Sequence, residues 1–335
     1  MSELVSGQLN SIADVKGVTV GHITLDDGSI QTGVTAILPH QGNLFQNKCV
    51  AAVEIINGFG KSVGLMQIQE LGQLETPIVL TNTLSVGVAS DALIKYMLKD
   101  NADIGTDTGT VNPLVMECND GYLNDIRGQH IKTHHILAAL KNTNIEFKQG
   151  AVGAGRGMSA YKLKGGIGSS SRLVPLNSDI FTIGALVMTN MGRLRDFIMY
   201  GNKLGGKLKQ QIYNNVSIDA EADKGSIIMI LATDLPMDAR QLKRLAKRAT
   251  IGLAKTGSQL GNGSGDICLA FSTANQMAHY QDKIETVKRF PEDKIDNAFD
   301  AAIGAIEEAI INSMLNAKTL SGRQGNKRLG LKSLL

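Results

Sequence analysis

Residues 225–234 read GSIIMILATD. After the Gly-Ser pair the stretch is apolar without alternation until a closing Thr-Asp. A half-buried strand alternates polar and apolar residues, so an unbroken run of this length predicts a strand covered on both faces. Further runs share that character: VTAILP (34–39), VAAVEII (50–56), TPIVLTNT (76–83), FTIGALVMTN (181–190) and DICLAFST (266–273). Helical patterns lie between them. SDALIKYMLKD (90–100) opens on the polar Ser90, and HIKTHHILAALKN (130–142) repeats apolar residues at three and four. DARQLKRLAKRATIGLAKTG runs from Asp238, an N-cap type, to Gly257, a C′ type. PEDKIDNAFDAAIGAIEEAIINSMLNAKTL (291–320) reads as one long helix. Alternating strands and helices predict an α/β chain of sheets layered by helices.

Composition narrows the function classes. The 335 residues are 43% hydrophobic and 19% charged, with a formal net charge of +3, the profile of a globular chain with a sizeable core. Aromatics make up 4% and tryptophan is absent, which argues against base-stacking platforms and a nucleic-acid partner. Cys49, Cys118 and Cys268 are odd in number and widely spaced, which fits a reducing compartment. The start MSELVSGQLNSIADVKG lacks the basic-then-apolar pattern of a signal peptide, and no apolar run approaches the roughly 20 residues that span a bilayer. A cytoplasmic protein without a membrane partner is expected. No HExxH or CxxC pattern calls for a metal, and no cofactor is expected.

Glycine is informative, at 37 positions against six prolines. It clusters in NGFGKSVG (57–64), GAVGAGRGMS (150–159), KGGIGSSSR (164–172) and GNGSGD (261–266), strings read as turns and as close approaches of backbone or ligand. The glycines of GAVGAGRG fall in the wrong order for a dinucleotide-binding GxGxxG.

Common nucleophile systems are poorly supplied: there is no GxSxG elbow, and His134 and His135 sit on an amphipathic helical pattern. A serine that is itself a chain terminus needs no histidine. Its own α-amine, with a reference pKa of about 7.7–8.0, can activate its hydroxyl. Making that terminus requires a cut just before the serine. Gly225 suits such a cut because it has no Cβ to hinder attack, and Ser226 opens a rigid strand. The polar segment 213–224, YNNVSIDAEADK, leads into this bond; it reads either as a plain surface loop or as an exposed approach to a processing site.

The chain resembles the DmpA-type aminopeptidases (L-aminopeptidase/D-esterases, with β-peptidyl aminopeptidase relatives). The resemblance runs through IADVKGVTVGHIT (12–24), TGVTAILP (32–39), NGFGKSVGLMQIQELGQLETPIVLTNTLSVG (57–87) and ECNDGYLNDI (117–126). It continues in GAVGAGRGMSAYKLKGGIGSSSR (150–172), NMGRL (190–194), GSIIMILATD and GNGSGDICLAFST. It implies a four-layer αββα sandwich, an α/β fold shared with ornithine acetyltransferases. It also implies one domain over 1–335, self-cleaved between Gly225 and Ser226 into chains 1–225 and 226–335, in a homo-oligomer of four or more. Ser226 is then the nucleophile of a serine aminopeptidase or amidase acting on small peptides, amino acid amides or esters. Ser264 and Asp266 match a second serine and its acidic partner, Asn190 an oxyanion donor, and Glu117 the holder of the substrate ammonium. Asn119 and Tyr122 are pocket candidates.

Two departures bear on substrate preference: some members carry an aromatic residue where Asn119 stands, and others a glutamate at Asp266. The rival readings are an ornithine acetyltransferase-like acyltransferase, whose terminal nucleophile is threonine, and a catalytically silent oligomer of the same fold.

Overall fold

The computed structural model describes residues 4–213 and 225–335. The strands of its main sheets are β1 (Thr19–Asp27), β2 (Ile30–Leu38), β3 (Asn47–Gly58), β4 (Gln73–Leu74), β5 (Ile78–Asn82), β6 (Leu114–Cys118), β7 (Ile167–Leu176), β8 (Asp179–Asn190), β9 (Ser226–Thr233) and β10 (Gly265–Ala278). The helices are α1 (Leu65–Leu71), α2 (Val86–Asp100), α3 (Thr133–Lys141), α4 (Gly205–Tyr213), α5 (Ala239–Lys255) and α6 (Ile295–Leu315).

Among the described residues the strands form a four-stranded sheet, β1-β2-β5-β6, and a six-stranded sheet, β4-β3-β10-β9-β8-β7. The β9–β10 and β5–β6 pairs are parallel and the other pairs antiparallel. Ile37, Leu80 and Met116 of the smaller sheet meet Val53, Met188, Ile228 and Leu269 of the larger in one apolar layer. On the smaller sheet's outer face, Val34, Val79 and Val115 pack under Ala89 and Leu93 of α2 and Ile136 and Leu140 of α3. On the larger sheet's outer face, Ile227, Met229 and Leu231 pack under Leu245 of α5 and Ile306 and Ile310 of α6. The order helix, sheet, sheet, helix is the expected αββα sandwich. It explains why the apolar runs do not alternate: both faces of β9 meet a hydrophobic layer, and all eight of its residues are buried.

The caps of α5 form as read. Asp238 accepts a hydrogen bond from Gln241 N at 2.7 Å within a capping box, and Gly257 takes φ +94° just past the helix. Two local readings change. Helix α2 starts at Val86 rather than Ser90, whose hydroxyl donates back to the Val86 carbonyl inside the helix. KGGIGSSSR is no turn from Ile167 onward but the start of β7. Its serines are fully buried because Ser169 donates to the Ala185 carbonyl and Ser170 to the Ala305 carbonyl, each at 2.6 Å. The acidic residues of 214–224 lie outside the described residues.

Gly168 permits α6 to lie this close to β7, since a Cβ there would sit 1.9 Å from the Ala309 carbonyl oxygen. Gly168→Ala is expected to lower stability by about 1–3 kcal/mol, the usual cost of overpacking. Denaturant unfolding, read as the midpoint at unchanged slope, checks it.

Candidate active site

Strand register gathers the site. Ser226, the first residue of β9, pairs with Asn190, the last of β8, and with Gly265, the first of β10. One step along, Asp266 pairs with Asn57 near the end of β3. Four strands therefore bring their ends to one edge of the larger sheet. The smaller sheet adds Glu117 at the end of β6, next to Cys118, whose thiol reaches the Met188 carbonyl across the inter-sheet layer.

The Ser226 hydroxyl donates to the carbonyl oxygen of Gly225 at 2.8 Å. The backbone N–H of Gly265 approaches both atoms, 3.2 Å from Gly225 O and 3.3 Å from Ser226 Oγ. Gly225 is required here by packing: a Cβ would lie 2.1 Å from the Asn190 carbonyl oxygen and 2.6 Å from Met191 Cα. Beside this peptide, the Ser264 hydroxyl donates to Asp266 Oδ1 at 2.6 Å. Asn57 donates to Asp266 Oδ2 at 3.1 Å and to the Leu260 and Gly261 carbonyls, tying the GNGSGD loop to β3. Asp266 and Ser264 are both buried. The Asn190 amide is fixed at both ends: its oxygen accepts from Ser159 N at 2.9 Å, and its nitrogen donates to the Asn119 carbonyl at 3.0 Å.

Glu117 is buried and hydrogen-bonded by neutral groups, the hydroxyl of Thr83 and the backbone N–H of Lys61. Three residues on, burial pushes the Asp120 carboxyl up to about 6, against hydrogen bonds from Thr32 and Asn124 that favour its charged form. Asn119 and Tyr122 line a cleft of about 560 Å³ together with Asn190 and Gly225. Ser226, Ser264, Asp266 and Asn190 thus fall at this edge and Asn119 and Tyr122 in the cleft, while Glu117 stands on the smaller sheet, tied to the string that Asn57 opens by the Lys61 N–H. Sequence reasoning missed Asn57, Thr83, Lys61 and the Gly265 N–H. Two of these act through backbone N–H groups, which leave no side-chain signature. Asn57 opens the NGFGKSVG string and was legible only as a turn residue. Among the described residues no group of three or more His, Cys, Asp or Glu is arranged to hold a metal, and no helix is long and apolar enough to cross a membrane.

Residues 10–328 match Peptidase family S58. The chain belongs to that family. A β-peptidyl aminopeptidase, BapA of Sphingosinicella microcystinivorans, is 38% identical over 95% of this chain and 84% of its own. BapA of Sphingosinicella xenopeptidilytica is 33% identical over 97% and 85%. Among solved structures, the PH0078 protein of Pyrococcus horikoshii OT3 superposes with a TM-score of 0.93 at 50% identity, covering 99% of this chain and 94% of that one. The L-aminopeptidase D-Ala-esterase/amidase of Ochrobactrum anthropi, described as a prototype serine aminopeptidase with a variant Ntn hydrolase fold, gives 0.90 at 36%, covering 98% and 92%. This S58 chain therefore has that fold, and its family is a family of peptidases.

The cysteines stand apart from the chemistry. All three are buried; burial pushes Cys49 up to about 12, and burial together with the charges of Glu117 and Asp266 holds Cys118 well above the usual thiol range. A thiol reagent at about pH 8, where a free cysteine is partly thiolate, is expected to label none of them in the folded protein and all three after denaturation. Mass analysis reads the count.

Proposed function

We propose that this chain is a serine aminopeptidase that exposes its own nucleophile by cutting the Gly225–Ser226 bond. The observation that carries the reading is the 2.8 Å contact of the Ser226 hydroxyl with the carbonyl oxygen of the bond to be cut, under a Gly265 N–H that approaches both atoms. In the first step Ser226 Oγ bonds to the Gly225 carbonyl carbon, and the Gly265 N–H stabilises the developing oxyanion. The C–N bond then breaks, and the proton from Oγ ends on the new amine. Water hydrolyses the resulting ester, leaving a Gly225 carboxylate and a free Ser226 amine and hydroxyl.

That amine becomes the general base for the same hydroxyl. The buried Ser264–Asp266 pair, at 2.6 Å, stabilises the ammonium formed as the proton moves. Asn190, its amide held by Ser159 and Asn119, supplies the oxyanion donor for the substrate carbonyl. Glu117 takes the substrate's terminal ammonium, which confines attack to the first residue. An acyl-enzyme forms as the leaving amine departs, and water resolves it. The names of the relatives, β-peptidyl aminopeptidase and L-aminopeptidase, support this reaction class.

Denaturing mass spectrometry of purified protein is expected to give two chains divided between Gly225 and Ser226, and Ser226→Ala one inactive chain. A fully active uncut enzyme would refute the mechanism. Asn190→Ala is expected to lower kcat about a hundredfold or more, as loss of one oxyanion donor does, in a steady-state assay with aminoacyl p-nitroanilides. The kcat of the wild type is expected to rise with pH through about 7–8 as the terminal amine loses its proton.

A further inference from the structure

Lys164 is a buried titratable group that the reaction above does not use. Its side chain is fully buried, and its Nζ donates to three carbonyl oxygens, those of Met158 and Gly165 at 2.7 Å each and that of Gly155 at 3.1 Å. Burial and the charges of Arg156 and Arg328 favour its neutral form, whereas the charge of Asp120 favours the ammonium. The three carbonyls side with Asp120, because an ammonium has a hydrogen for each of them and a neutral amine does not.

One of these contacts leads to the site. The Met158 carbonyl belongs to the same peptide group as the Ser159 N–H, and that N–H donates to Asn190 Oδ1 at 2.9 Å. A peptide group is planar and trans, so a donor that fixes its carbonyl also fixes the direction of its N–H. An N–H can be accepted only by the oxygen of a side-chain amide, so this bond decides which end of Asn190 is nitrogen. Nδ2 then gives one hydrogen to the Asn119 carbonyl at 3.0 Å and keeps the other for the cleft that Asn190 lines. The backbone on either side of Asn190 is held by the same short hairpin, Ser159–Ala160 with Leu163–Lys164, and by the glycines after it. Tyr161 N, at the hairpin's tip, donates to the Met191 carbonyl at 2.7 Å, and Thr189 N donates to the Gly166 carbonyl at 3.0 Å. Hydrogen bonds in series polarise one another, so the charge on Nζ strengthens the Ser159 donor and, through Asn190 Oδ1, the Nδ2 donor.

We infer that Lys164 is a positioning residue for turnover: through the Met158–Ser159 peptide it aims and polarises the Asn190 amide that meets the substrate oxyanion. The inference rests on the oxyanion role proposed above for Asn190. Lys164 touches no reacting atom and acts through two amide groups in line. It has no part in the self-cleavage, for which the oxyanion donor is the Gly265 N–H.

Lys164→Met keeps the reach of the side chain and removes its donors. It is expected to cut itself into two chains, as mass analysis reads, and to hydrolyse aminoacyl p-nitroanilides with kcat about tenfold or more below the wild type and KM changed by less than about threefold. A double-mutant cycle separates positioning from general damage. In the Asn190→Ala background, where no amide remains to aim, Lys164→Met is expected to change kcat by less than about twofold. An equal loss in both backgrounds makes Lys164 a structural residue and overturns the inference, as does an unchanged kcat in Lys164→Met alone. Asn190→Ala with the kcat of the wild type overturns instead the oxyanion role on which the inference rests. If Lys164→Met stays uncut or insoluble, Ser159→Pro decides, since it removes the N–H between Lys164 and Asn190 and leaves the lysine in place. Its reference is Ser159→Ala, which keeps the N–H and lacks, like the proline, the hydroxyl that accepts from Arg328 Nε. A kcat about tenfold or more below that reference, with the difference gone in the Asn190→Ala background, supports the inference. Equal values in Ser159→Pro and Ser159→Ala overturn it.

Discussion

The register of three neighbouring strands, Asn190 to Ser226 to Gly265, is the constraint on which the rest of the molecule depends. Backbone ladders hold these residues side by side, and side chains directly opposed on adjacent strands lie within contact distance. A slip of one residue in β9 would turn every side chain to the other face, driving the Ser226 hydroxyl away from its neighbours. Such a slip is resisted on both sides. Ile227, Met229 and Leu231 are packed under α5 and α6, while Ile228 and Ile230 are packed against the second sheet. The hydrophobic layers therefore specify a position at the sheet edge more finely than a loop would.

Around that edge, buried charge is handled with neutral hydrogen-bond donors. Asp266 is held by Ser264 and Asn57, Glu117 by Thr83 and the Lys61 N–H, and Asp120 by Thr32 and Asn124. An uncompensated buried carboxylate is costly, and donors of this kind help to compensate it. On the cleft side, Lys164 is fully buried among the carbonyls of Gly155, Met158 and Gly165, and burial pushes its ammonium well below the usual lysine range. It fastens the short hairpin of Ser159–Ala160 and Leu163–Lys164 to the glycine-rich segment just before it.

How much of this was legible in the chain depends on the kind of signal each residue leaves. Strands β2, β3, β5, β8, β9 and β10 were plain because burial on both faces produces unbroken apolar runs. Strand β7 was hidden, because Gly168 and three serines look like a turn until β8, α6 and Asp14 come close enough to accept their hydroxyls. Strands β1 and β6 carry polar residues that mask the same geometry. At the site, Ser226 was picked out by its place before an apolar run and by the missing histidine system. Its companions Ser264, Asp266, Asn190 and Glu117 came from resemblance, since each lies far from it in sequence and becomes a neighbour only through strand order. Asn57 and the Gly265 N–H needed coordinates.

The burial of β9 has one more consequence, concerning the life of the molecule after a cut. Ser226 begins a strand flanked on one side by β8, from the residues before Gly225, and on the other by β10, from those after. Severing the bond at this point would leave two pieces interleaved in one sheet, with ladder hydrogen bonds and three hydrophobic layers holding them together. The pieces would stay assembled while folded. Once unfolded, however, they would have to find each other in solution, and a unimolecular refolding would have become a concentration-dependent one. The uncut chain could fold and unfold reversibly, whereas the cut protein would rest on the height of its unfolding barrier. Maturation would thus exchange thermodynamic reversibility for kinetic persistence, making the order of events, folding first and cutting second, a requirement of the architecture.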